Sequence, residues 1–202
     1  MFLKSPPPLI LASTSRYRRE LLERLGLAFS CIAPGADETP QPAERPLALV
    51  GRLARAKASA VASQQPNAWV IGSDQVAVLS DETGTESMLG KPGTETRCME
   101  QLESCSGRAI VFLTAVAVMR QQGNLLFEFV DSTRVKFRTL DRATIERYVT
   151  KERPLDCAGG FKSEGMGITL CESIDSADPS ALIGLPLIRL SAALRSAGFE
   201  LP

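Results

Sequence analysis

An α/β fold built on a mixed β-sheet is what this chain predicts, and three patterns carry that expectation. Apolar runs without helical spacing occupy residues 9–12, 69–79 and 109–119. Between them lie segments whose apolar residues recur every three to four positions, most plainly Leu47, Val50, Leu53, Ala54, Ala58 and Val61. Gln121-Gln122-Gly123-Asn124, set between two β-branched and aromatic runs, reads as a hairpin and adds antiparallel strands to the parallel ones that helical crossovers imply.

Taken in order, a first strand over residues 9–12 passes through the hydroxyl-rich turn Ser13-Thr14-Ser15 into a helix that begins Arg16-Tyr17-Arg18-Arg19 and stops at Gly26. Residues 28–33 read as a second strand and 34–46 as a Pro-rich loop. The next helix runs towards Pro66 and carries Lys57 in its interior. A strand over 69–79 surrounds Asp74, residues 81–84 turn, and a helix over 94–104 closes at Gly107. Strands over 109–119 and 125–138 follow, then a short helix capped by Asp141 and ending at Tyr148. Residues 157–167 are Gly-rich, 168–171 read as a short strand and 174–180 as a polar loop. Pro186 starts the last helix and Gly198 stops it.

With 202 residues and a hydrophobic fraction of 44%, the chain can bury one substantial core, as a single domain spanning 1–202 or as two lobes about a cleft. Lys and Arg number 23, as do Asp and Glu, so no basic field gathers a nucleic acid polymer. The N-terminal residues lack the pattern of a secretion signal, and residues 109–119 are too few to cross a bilayer. Five cysteines without a C-x-x-C pair suit reduced, mostly buried thiols in a cytoplasmic protein.

Histidine is absent, which excludes Ser-His-Asp and Cys-His nucleophiles, phosphohistidine and His-ligated zinc. Carboxylates, lysines, arginines and a hard cation held by oxygen remain available for catalysis.

Arginines in a helix's first turn oppose the macrodipole, so Arg16, Arg18 and Arg19 point to an anion nearby, although Ser13 and Ser15 also suit plain N-caps. Asp74 stands among Val70, Ile71, Val76 and Val78 and must find donors or cations to offset its desolvation. Lys57 reads either as a snorkelling surface lysine or as a site cation. Residues 84–92 do not fit a phosphate-binding P-loop, since five residues separate Gly84 from Gly90 and Pro92 replaces the magnesium-binding hydroxyl. Gly90-Lys91-Pro92 still makes a rigid turn that aims one ammonium. Together, Arg18, Lys57 and Lys91 can neutralise a polyphosphate while Glu38 and Asp74 bind a divalent cation or activate water, the requirements of phosphoanhydride hydrolysis.

These residues stand in motifs: Ser13-x-Ser15-x-x-Arg18-Arg19, Asp37-Glu38, Ala56-Lys57-Ala58, Ser73-Asp74-Gln75, Gly90-Lys91-Pro92, Ala158-Gly159 and Gly184-Leu185-Pro186. In order and spacing they resemble the Maf family of nucleoside triphosphate pyrophosphatases from end to end of the chain. The resemblance implies a fold related to the inosine triphosphatase type, with flanking helices and a cleft between two lobes. It further implies Asp74 as proton acceptor for the attacking water, a site lined by Ser13, Arg18, Glu38, Lys57 and Lys91, and a divalent cation, magnesium or manganese, held by Glu38 and Asp74. The family often carries Pro where this chain has Arg16.

Ser73-Asp74-Gln75 and Phe161-Lys162-Ser163-Glu164-Gly165 look like the subgroup acting on 7-methyl-GTP, with Tyr17, Gln75 and Glu164 as its specificity positions. N7-methylation gives guanine positive character and acidifies N1, so Glu164 could accept from N1 and N2 while Tyr17 stacks on the cationic face. The alternatives are a dTTP/UTP-type pyrophosphatase of the same family and a nucleotide-binding regulator of cell division. No membrane partner is expected, and a homodimer is compatible with the resemblance.

Overall fold

The computed structural model describes residues 7–121 and 125–202. Most of the N-terminal segment read as lacking a secretion signal, and the centre of the expected hairpin at 122–124, lie outside the described residues. The chain forms β1 (Leu9–Leu11), α1 (Arg16–Glu23), β2 (Ser30–Cys31), α2 (Pro46–Ala62), β3 (Trp69–Ser80), β4 (Glu86–Leu89), α3 (Glu95–Cys105), β5 (Ala109–Arg120), β6 (Leu125–Phe137), α4 (Arg142–Glu152), β7 (Cys171–Ser176) and α5 (Leu187–Ser196). The strands join one mixed sheet in the order β2-β1-β3-β5-β6-β7, with β4 paired to β3. The α/β class and mixed sheet expected from the sequence are therefore present.

Two compact units divide the chain. The first comprises Met1–Asp74, Thr114–Asp131 and Gly184–Pro202. Here β1 lies parallel to both neighbours, Ile10 opposite Ser30 and Val70. Every residue of β1 is buried, which is why it reads as an unbroken apolar run. Ser15 caps α1 by accepting from the Arg18 N–H, and Pro46 opens α2 at a position where its missing N–H costs nothing. Leu49, Val50, Leu53, Ala58 and Val61 bury the inner stripe of α2. Gly72 is what lets that helix lie close to β3, because a Cβ there would run into the Ala54 carbonyl oxygen and the Ala58 nitrogen.

The second unit comprises Gln75–Leu113 and Ser132–Ile183. Its sheet is antiparallel at both margins, with Val78 of β3 opposite Met88 and Val135 of β6 opposite Ile174. The core gathers Cys98, Leu102 and Cys105 from α3, Ile145, Tyr148 and Val149 from α4, and Phe112, Phe137 and Phe161. Phe161 meets Phe137 edge-on at 5.1 Å between ring centres.

Several boundaries differ from expectation. The second strand is only Ser30–Cys31, shorter than the 28–33 expected, and both of its residues are exposed. β4 falls between the turn expected at 81–84 and the one at Gly90-Lys91-Pro92, where the sequence predicts no strand, being short and exposed at Glu86, Ser87 and Met88. α4 continues past Tyr148 to Glu152 and ends where Arg153 adopts a left-handed φ of 48°. Residues Met166–Leu170 coil as a 3-10 turn instead of a strand, and the strand appears one step later as β7 where a polar loop is expected. All five cysteines are free, but only Cys98 and Cys105 are fully buried and Cys31 is exposed, which corrects the expectation of mostly buried thiols.

Candidate active site

Two charged residues that the sequence leaves ambiguous are buried together in the first unit. Lys57, 5% exposed on α2, places Nζ 2.7 Å from Asp74 Oδ1 on β3 and 2.7 Å from Glu38 Oε1 in the loop before α2. Asp74 is 9% exposed, so the ammonium supplies the partner that its desolvation demands. Glu38 remains open to solvent. The site thus holds one cation between two carboxylates, one buried and one exposed.

The loop bearing Glu38 is tied to the same helix. Arg52, five residues before Lys57, grips Glu44 through two nitrogens at 2.6 and 2.7 Å and also donates to the Thr39 carbonyl at 3.1 Å. That grip holds the Glu44 carboxyl well below its usual range, at about 2. Within the pair Asp37-Glu38 the roles separate: Asp37 accepts from the Thr39 N–H and stays in the loop, while Glu38 reaches Lys57.

The first-turn arginines separate as well. Arg19 pairs with Glu23 on the surface, and Arg16 lies 4.7 Å over the Tyr17 ring while donating to its hydroxyl. Arg18 alone turns inward, its Nε donating to the Gly184 carbonyl at 3.0 Å. Burial pushes this guanidinium below its ordinary pKa, and the charges of Asp74 and Glu38 push the other way. Ser73, fully buried, donates from Oγ to the same Gly184 oxygen at 3.0 Å. Gly184 has a φ of +120°, and a Cβ on it would lie 3.4 Å from Arg18 Nε. Ser13 is buried just after β1, where its Oγ accepts from the Ser15 N–H and shapes the entry to α1.

Ser13, Tyr17, Arg18, Glu38, Lys57 and Asp74 all belong to the first unit. The expected residues Gln75, Lys91 and Glu164 belong to the second. Gln75 donates from Nε2 to the carbonyls of Ala181 and Leu182, both at 3.0 Å, and so anchors the segment that leads to Gly184. Lys91 is exposed on a turn whose Gly90 carbonyl accepts from Gly159 N, which gives the Ala158-Gly159 motif a structural purpose. Glu164 is exposed at the crest of a loop.

Three contributions escape a reading of charged residues: the Gly184 carbonyl, the Ser73 hydroxyl and the close approach at Gly72. An isolated glycine inside an apolar strand is the one local signal that marks Gly72. The other two stand in the motifs Ser73-Asp74-Gln75 and Gly184-Leu185-Pro186, but their roles appear only in contacts across more than a hundred residues of chain.

Among the described residues no group of three or more acidic, Cys or His side chains is placed to hold a metal, and no helix is long and apolar enough to cross a membrane. Glu38 and Asp74 offer the oxygen donors that magnesium or manganese prefers, and such ions are commonly bound by one or two carboxylates with substrate phosphates completing the shell.

The Maf-like protein family matches residues 8–197 of the chain. A 7-methyl-GTP pyrophosphatase of Xanthomonas oryzae pv. oryzae is 53% identical over 196 residues, covering 97% of this chain and all of that protein. Proteins of the same name from Alkalilimnicola ehrlichii and Aromatoleum aromaticum are each 53% identical over 195 residues, covering 96% of this chain and at least 96% of their own lengths. Matched in this way over nearly all its residues, the chain belongs to the Maf family.

Proposed function

We propose that the chain hydrolyses a phosphoanhydride bond of 7-methyl-GTP, releasing 7-methyl-GMP and diphosphate, and so keeps a modified nucleotide out of nucleic acid synthesis. The relatives named for this activity support the substrate. The observation that carries the chemistry is the Glu38–Lys57–Asp74 arrangement beside Arg18.

In this reading Asp74 accepts the proton of the attacking water, since it is the buried carboxylate and Lys57 fixes its oxygen. Arg18, tied at Nε, keeps its terminal nitrogens for the phosphate oxygens. Lys57 and Lys91 supply further positive charge. A magnesium or manganese ion held by Glu38 and Asp74 would supply Lewis-acid stabilisation of the phosphate charge. Tyr17, Gln75 and Glu164 select the base, with Glu164 accepting from the acidified N1 edge. Gln75 contributes through its anchoring of residues 181–182. Free cysteines and the absence of a membrane-crossing helix among the described residues agree with a cytoplasmic site of action.

A substrate panel of 7-methyl-GTP, GTP, dTTP and UTP with diphosphate detection tests the reading. The expected result is metal-dependent release, fastest from 7-methyl-GTP. Asp74→Asn is expected to lower kcat by about a hundredfold or more with nucleotide binding retained. Preference for dTTP or UTP would move the protein to that branch of the family, and binding without diphosphate release would make it a nucleotide-binding regulator.

A further inference from the structure

The loop that presents Glu164 is held from one side by α4 through a set of hydrogen bonds. Glu152, the last residue of the helix, accepts from Lys162 Nζ at 2.6 Å through Oε1 and from the Met166 N–H at 2.7 Å through Oε2. Its side chain is 12% exposed and that of Lys162 20%, so the pair is largely withdrawn from water. Gly165 admits this approach: a Cβ there would lie 2.6 Å from Glu152 Oε2. One turn earlier, the buried Tyr148 hydroxyl donates to the Gly160 carbonyl and accepts from the Lys162 N–H at 3.0 Å. Both flanks of Glu164 are therefore fastened to α4, while Glu164 itself faces solvent.

The charges matter as much as the geometry. Lys162 stands two residues from Glu164 in the same loop, and its ammonium is turned to Glu152. Hydrogen bonds from Lys162 and from the Met166 amide hold the Glu152 carboxyl below its ordinary pKa, so it stays charged.

We propose that Glu152 is a specificity-positioning residue, which sequesters Lys162 and pins the 162–166 loop so that the Glu164 carboxylate stays available to a cationic purine. This rests on the assignment of Glu164 to base selection. A Gln at 152 keeps an acceptor for Met166 N but loses the charge that holds Lys162, and the released ammonium then competes with the methylated base for Glu164.

The test compares kcat/KM for 7-methyl-GTP and GTP in the wild type, Glu152→Gln, the double variant Glu152→Gln/Lys162→Met, and Glu164→Gln. Glu152→Gln is expected to lower the ratio about tenfold, the effect lying in KM for the methylated nucleotide, and the double variant to recover most of it. An unchanged ratio in Glu152→Gln overturns the proposal, as does equal loss on both nucleotides, which is what a merely structural role gives. Failure of the double variant to recover overturns the competition by Lys162. An unchanged ratio in Glu164→Gln overturns the base-selection reading itself, a separate result. Should Glu152→Gln not fold, Glu152→Asp, whose carboxylate is one methylene short of Lys162 and Met166, takes its place; a fall in the ratio that Lys162→Met reverses supports the proposal, and an unchanged or unreversed ratio overturns it.

Discussion

Lys57 is where stability meets the proposed chemistry. Its ammonium is the partner that makes a buried Asp74 tolerable, and removing one member of such a pair costs about 3–5 kcal/mol because the other is left uncompensated. Lys57→Met is therefore expected to destabilise the fold by about 3 kcal/mol, towards the lower limit because Asp74 keeps slight access to water. Adding Asp74→Asn removes the stranded charge, so the double variant should unfold at a higher urea concentration than Lys57→Met alone. Urea midpoints for the two single variants and the double measure the coupling; strict additivity would show that the pair contributes nothing as a pair. The sequence exposes Lys57 and Asp74 as candidates but not as partners, since they stand seventeen positions apart and only the packing of α2 on β3 joins them.

That packing is a property of elements. The inner face of α2 is unusually small where it crosses β3, with Ala54 and Ala58 set against Gly72. A methyl group at 72 has nowhere to go, because two of its nearest contacts are backbone atoms of the helix. Gly72→Ala is expected to cost about 1–3 kcal/mol and to withdraw Lys57 from Asp74 as the helix moves outward. Activity should then fall beyond the loss of folded protein, measured as kcat under conditions where circular dichroism shows the variant fully folded. Unchanged kcat in the folded variant would mean that the spacing of α2 and β3 does not set the site.

α2 is legible from residue order because its apolar residues recur along one face, and β3 because it is an apolar run buried on both faces around Asp74. The stretch from Cys157 to Ser176 is not. Ile168, Thr169 and Leu170 have strand-like propensities, yet they coil because Gly165 and Gly167 are drawn against Glu152 and the Lys162 backbone. The strand that follows is largely exposed at Glu172, Ser173, Ile174 and Asp175, so it lacks the alternation that would mark it.

At the scale of the whole molecule, zero net charge means that substrate is captured by local placement of cations and not by a long-range field. The sequence motifs indicated which residues to suspect. Ser13, Arg18, Glu38, Lys57 and Asp74 are spread over sixty residues of chain, and β1, α1, α2 and β3 bring them into one compact unit. What residue order concealed is the network that fixes them, namely Gly184 for Arg18 and Arg52 for the Glu38 loop, and in the second unit Glu152 for the Glu164 loop.

The same organisation sets an expectation for metal dependence. Two carboxylates already engaged with Lys57, and no cluster of three ligands among the described residues, make a poor site for a cation alone. On the proposed metal dependence, phosphate oxygens would complete the shell, so metal and nucleotide should bind together. Millimolar magnesium alone is expected to shift Tm by less than about 1 °C. Magnesium with a non-hydrolysable 7-methyl-GTP analogue at a hundred times its Kd should add about 2.7 kcal/mol, or about 5–10 °C for a chain of this size. A chelator should abolish turnover while leaving the nucleotide-free Tm unmoved. A large shift from the cation alone would indicate a preformed metal site, and turnover undiminished by chelation would leave Arg18 and the two lysines as the whole of the electrostatic catalysis.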